Sequence, residues 1–235
     1  VHELTHIFHQ DMARGVGGAF RQFFGRVPLR WPFFPGLATP NWTVEGIAVY
    51  YESALTGAGR VKGSFHEMVV RTAVLEGDMD SIDRVSGASQ IWPGGQRDYA
   101  YGSLFLNYLV DQHGEEAVSR FVREVAGQWI PYRLDSAARR AFGTSFSRSW
   151  EEWEAELQAR YGTLRDSLAA WAPLTSGETL TEEGYYALNP APSPSGGRVL
   201  FSRQDGRSDN QLRLLDPRTG ESSKLARTNS LSNFS

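Results

Sequence analysis

Two hydrophobic periods divide this chain. Up to about residue 172 apolar residues recur every three or four positions, the period of helices packed on a core; beyond about 173 they alternate with polar residues between Pro, Gly and Asp, the period of short strands. The spacing predicts helices over residues 1–13, 42–55, 64–76, 97–113, 115–127, 135–142 and 147–170. In the last of these, Trp150, Trp153, Leu157 and Tyr161 fall at helical spacing and read as a core stripe. Strands are expected over about 197–203, 210–216 and 222–227, with "DPRTG" (216–220) as a tight turn. The expected fold class is therefore mainly α with a C-terminal all-β segment, one blade-like antiparallel unit. The expected domains are residues 1–172 and 180–235. A single β unit of this size cannot bury both its faces, so the C-terminus reads as cut. The first residue already lies inside a helix without a capping residue, so the N-terminus reads as cut too.

Composition removes several function classes. Net charge is −3 with no basic block, which argues against nucleic acid as a partner. No apolar run approaches the length of a membrane span. There is no cysteine, hence no disulfide framework and no thiolate metal site. The Gly-rich "RGVGGAF" (14–20) lacks the Lys-Ser/Thr ending of a phosphate loop and is expected to end the first helix. The Pro- and aromatic-rich stretch 25–42 is expected to be a long ordered loop, one wall of a cleft. Asn41 or Thr43 is the expected cap of the helix that follows.

The chemistry is concentrated at the start, in "VHELTHIFHQ". On a helix His2 and His6 lie on one face, about 40° apart, and can offer two imidazoles to one ion. Glu3 lies on the flank of that face, poorly placed as a ligand but within reach of an activated water. Zinc with three protein ligands keeps a fourth position for that water. A metzincin would need Gly at 9 and His at 12, where this chain has His9 and Met12. His9 reads as solvent-facing or as a support to the ligands, and His66 and His113 as structural. Leu4, Ile7 and Phe8 form the apolar side of this first helix. The acidic candidate for the third ligand is Glu45, near the start of a helix and beside Gly46, whose small size would let the motif helix approach closely. Glu52, two turns on, could orient a ligand imidazole or lie on the helix surface.

"HELTH" followed by "PNWTVEGIAVYYE" resembles the gluzincin superfamily, which includes thermolysin and the aminopeptidase-N-like enzymes. The pattern W-x-x-E-G-x-A-x-Y is matched by Trp42, Glu45, Gly46, Ala48 and Tyr50. The resemblance implies a zinc peptidase with His2, His6 and Glu45 as ligands to one Zn2+, Glu3 as general base, and a peptide or protein substrate. "RDYAYGSLF" resembles the Y-x-x-G helix of aminopeptidase-N-like enzymes, which implies Tyr99 as the donor to the developing oxyanion. Tyr101, two residues on, must point elsewhere. Two departures stand out: residues 7–44 separate His6 from Glu45, a longer gap than in better-known gluzincins, and Gln10 occupies the place of a supporting Asp in thermolysin. Residues 184–228 resemble one repeat of a TolB-type β-propeller, with an S-P-x-G turn at Ser193–Gly196 and a D-x-x-T-G hairpin at Asp216–Gly220. Together these imply an exported or envelope-associated bacterial protein, and a substrate-holding sheet upstream of residue 1. A different class of reading makes the propeller the working part, in a binding or scaffold protein with an inactive or structurally metallated helical domain.

Overall fold

The computed structural model describes residues 1–87, 92–173, 175–182 and 186–228. It divides into two compact units, Val1–Ala88 with Gly95–Ala172, and Ser89–Gly94 with Pro173–Ser235. The protein is mainly α, with a C-terminal antiparallel sheet.

The first unit contains α1 (His2–Asp11), α2 (Gly15–Phe24), α3 (Asn41–Thr56), α4 (Ser64–Glu76), α5 (Arg97–His113), α6 (Glu116–Ala126), α7 (Leu134–Phe142) and α8 (Phe146–Trp171). α4 and α5 span the residues that periodicity assigns to them. Helix ends follow local chemistry: Gly57, Gly77 and Gly143 close α3, α4 and α7 in the left-handed conformation. The Ser145 hydroxyl accepts from the Arg148 N–H to cap α8. The core is aromatic. Phe105 of α5 packs edge-on against Trp42 of α3 and against Phe146 and Trp150 of α8, with ring centroids 4.9–5.9 Å apart. Trp150, Trp153, Leu157 and Tyr161 are all buried, as their spacing requires.

Four local expectations need correction. "RGVGGAF" does not simply end the first helix; from Gly15 it forms a second one. Glycine is a poor helix former, but a Cβ on Gly17 would lie 2.7 Å from the Pro32 carbonyl oxygen, so close packing of the Pro-rich segment decides the residue. Neither Asn41 nor Thr43 caps α3. The Trp42 N–H donates instead to the Ser86 hydroxyl, 3.0 Å away, and Asn41 bonds Asp98. The Pro-rich segment 25–40 is not all loop but contains a 3-10 turn (Pro35–Ala38); it does wall a cavity, of about 470 Å³ with Ile7 and Gln10, although His2, His6 and Glu45 do not line that cavity. Finally, Leu4, Ile7 and Phe8 are exposed, because α1 turns its histidine-bearing face inward.

The second unit is a four-stranded antiparallel meander in the order β1 (Tyr186–Pro192), β2 (Val199–Gln204), β3 (Gln211–Leu215), β4 (Ser222–Arg227). β1 is an addition to the three expected strands. Its prolines are tolerated at an edge, and it pairs with β2 across an irregularity between Leu188 and Ala191. The turn at 216–220 forms as expected: the Gly220 N–H donates to the Asp216 carbonyl and Gly220 is left-handed.

Candidate metal centre

α1 lies across α3, and this crossing makes the site. His2 and His6, one turn apart on α1, face Glu45 in the second turn of α3. Glu45 Oε2 stands 3.3 Å from His2 Nε2 and 3.4 Å from His6 Nε2, and the two Nε2 atoms are 3.1 Å apart. Glu45 is fixed from behind. A Cβ on its neighbour Gly46 would lie 2.6 Å from the Gly102 carbonyl carbon, so α3 rests backbone to backbone on α5. Gly46 thus serves contact with α5, not with the motif helix α1 as its position suggested. The same contact carries Tyr99 on α5 to the site, where its ring stacks on His2 at 6.3 Å.

These three groups are the metal-capable cluster found among the described residues. Their arrangement fits a tetrahedral zinc ion. Ligand bonds of about 2.0–2.1 Å at tetrahedral angles place neighbouring ligand atoms about 3.3–3.4 Å apart, and the three observed separations are 3.1–3.4 Å. Glu45 Oε2 is buried and has no aligned hydrogen-bond donor, despite the two imidazoles beside it. A buried carboxylate oxygen left in that condition is costly unless a cation completes it. Burial, then the charges of Arg60 and His6, lowers the pKa of His2, which favours the neutral imidazole a metal requires.

Around this triangle the other expected residues separate clearly. Glu3 is exposed on α1, next to His2. Burial, then the Glu45 carboxylate, holds the Tyr99 phenol above its ordinary pKa, so it stays a proton donor. Tyr101 is 1% exposed and stacks on Trp150; burial pushes it up to about 12. His9 is not solvent-facing. It is buried and shares the lining of a small cavity with Met12, Ile47, Tyr51 and Val118; both ring nitrogens are unpartnered, and burial drops it to about 4. His66 is buried, 3.4 Å from the Ser103 hydroxyl, and also falls to about 4. His113 sits at the end of α5 against Phe142.

Sequence reasoning passed over Arg60. Its guanidinium lies 2.6 Å from Glu52 Oε2, 2.8 Å from His2 Nδ1 and 5.3 Å above the Tyr99 ring. Arginine only donates, so this contact leaves Nδ1 as acceptor and puts the imidazole proton on Nε2. A cation on Nε2 would require that proton to move to Nδ1; Glu52 Oε2 lies 3.6 Å away and would be its acceptor only once the Arg60 donor turned aside. The returning turn makes this possible: Gly59 has φ +105, and a Cβ there would sit 2.7 Å from the Ser53 hydroxyl. No periodicity marks such a residue.

No family model matches the chain, and neither a curated protein nor a solved structure matches it. The reading of the site therefore rests on its own geometry and on the resemblance of its motifs.

Proposed function

We propose that the helical unit is a zinc-dependent peptidase, with His2, His6 and Glu45 holding one Zn2+. The observation that carries the reading is the triangle of ligand atoms at 3.1–3.4 Å with its orphaned carboxylate oxygen. When bound, the zinc supplies Lewis acidity to the attacking water and to the substrate carbonyl. Glu3 takes the proton of that water as it attacks the peptide carbonyl and passes it to the leaving amine. Tyr99 donates a hydrogen bond to the oxyanion as charge develops. With zinc on Nε2, Glu52 would take up the proton-bearing Nδ1 of His2 in place of the Arg60 contact, leaving the Nε2 lone pair to the metal. Arg60 balances the charge of Glu52 and bounds the site on the Tyr99 side. A carboxylate next to the ligand pair, Glu3, supports catalysis over a purely structural metal, which would need no base. The sheet is read as one blade of a TolB-type propeller, supported by its four-stranded antiparallel meander and by the turn sequences at 193–196 and 216–220. An exported or envelope location accompanies that reading through the resemblance alone.

The test pairs metal content with hydrolysis of a peptide library. The protein should bind one equivalent of zinc and hydrolyse peptides. Glu45→Ala should lose both, and Glu3→Gln should keep the zinc and lose hydrolysis. Near-normal hydrolysis by Glu3→Gln would remove the general-base assignment. Zinc retention in Glu45→Ala would remove the ligand set.

A further inference from the structure

A cavity of about 570 Å³ lies in the helical unit, and none of His2, Glu3, His6, Glu45 and Tyr99 lines it. Its wall is built from four places: the C-terminal end of α6, the loop 127–133, α7 through Ser136 and Arg140, and the junction of α1 with α2. The loop is held in shape, because the buried Gln128 side chain donates to the Arg133 carbonyl at 2.9 Å. The junction is held too, because the Arg14 N–H donates to the Ala126 carbonyl at 2.9 Å and Gly15 packs against Gly127.

The charge around this cavity is one-sided. Arg14, Arg123 and Arg133 all line it, and among the described residues their guanidinium groups have neither an ion pair nor a hydrogen bond. Arg140 also lines it and is held by Glu124, the carboxylate in the wall. Arginines elsewhere commonly find an acid, as Arg21 does with Asp11, Arg60 with Glu52 and Arg97 with Asp80. All three are exposed, so solvent screens their repulsion, but an oxyanion seated in the concavity would meet an excess of forked donors with one acid, Glu124, in the wall. α2 and α7 both begin at this wall, neither with a side-chain cap, and add the positive ends of their dipoles. At the rim Trp129 is 81% exposed and Ile130 57%, an unusual cost for a surface loop and a flat apolar face for a ring to stack on.

We infer that this cavity binds a small organic polyanion, two or more adjacent oxyanion charges carried on a planar ring, with Arg14, Arg123 and Arg133 taking the charges and Trp129 the ring. Phosphate and clustered carboxylate groups share the required chemistry. The volume is within the range of small-molecule sites. The inference does not depend on the metal centre.

Fluorescence and calorimetric titrations of the chain with ADP, pyrophosphate and citrate test it, on protein stripped of metal and then dialysed free of chelator, so that metal chelation by the probes contributes nothing and no competing polycarboxylate is present. ADP should bind saturably and quench Trp129, with the quench lost in Trp129→Phe. Arg123→Ala with Arg133→Ala should weaken binding at least tenfold, and Arg207→Ala, in the other unit, should leave it unchanged. Pyrophosphate binding without citrate binding assigns the charge to phosphate, and the reverse assigns it to carboxylates. The absence of saturable binding by all three probes at millimolar concentration overturns the site. So does an equal loss in Arg207→Ala, which would mean diffuse attraction to surface charge.

Discussion

Gly46 and Gly102 meet backbone to backbone, and a Cβ on Gly102 would drive into the Trp42 carbonyl oxygen. Glu45 lies one residue from the first glycine and Tyr99 one turn before the second. The contact therefore sets the distance between a candidate ligand and a candidate oxyanion donor, although neither glycine touches the site chemistry. Alanine at either position must push α3 and α5 apart. Gly46→Ala and Gly102→Ala should each cost about 1–3 kcal/mol, with Gly102→Ala the worse, and both should weaken zinc binding. Urea unfolding and a zinc titration check this; unchanged stability in Gly102→Ala would mean the two helices pack more loosely than described.

The two tyrosines of α5 should behave oppositely. Tyr99→Phe should retain fold and zinc but lose about 100- to 1,000-fold in kcat, the loss expected for one oxyanion donor. Tyr101→Phe should leave turnover near normal and cost about 1 kcal/mol of stability, because its hydroxyl is buried and bonded at the Asp80 backbone. Steady-state kinetics with the two variants side by side would expose a reversed ranking.

Glu52→Gln removes the anionic acceptor for the His2 Nδ1 proton while keeping the size of the side chain. Zinc affinity should fall about 10- to 100-fold, as for other supporting contacts to ligand histidines. Competition with a chelating dye measures it without reference to turnover. Equal affinity in Glu52→Gln and the parent would leave Glu52 with only its ion pair to Arg60.

Stability should depend on pH through two buried histidines. His9 and His66 both fall to about 4 in the folded protein, against 6.5 when unfolded. Between those values the unfolded chain binds protons that the folded chain refuses, so stability falls as pH drops from about 6.5 to 4 and levels off below it. Each histidine contributes on the order of 3 kcal/mol to that fall. Thermal unfolding in EDTA across this range should show the slope, and His9→Leu should reduce it. A slope unchanged by His9→Leu would place the linked protons elsewhere.

Much of the helical unit was legible because burial imposes a period on sequence. The spacing of Trp150, Trp153, Leu157 and Tyr161 has one cheap solution, a helix with that stripe inward, and the structure buries all four. His2 and His6 were legible as candidates for a related reason, since spacing reports which residues share a helix face; Glu45, on another helix, was legible only through the resemblance of its motif. Strand β1 was not legible, since Pro190 and Pro192 look like breakers until an edge position accommodates them.

Sequence by itself determined most of the helices, three of the four strands and the pairing of His2 with His6 on one face, because these follow from periods of 3.6 and 2 along the chain; α2 and β1 left no such period. Tertiary structure decided the rest. It turned the His-bearing face of α1 inward and left Leu4, Ile7 and Phe8 exposed; it brought Gly46 to Gly102 instead of to α1; it buried His9 without partners; and it returned Arg60 to His2. Each of these depends on which surfaces two elements present to each other. That is settled by the summed packing of many distant residues, and no local period records it.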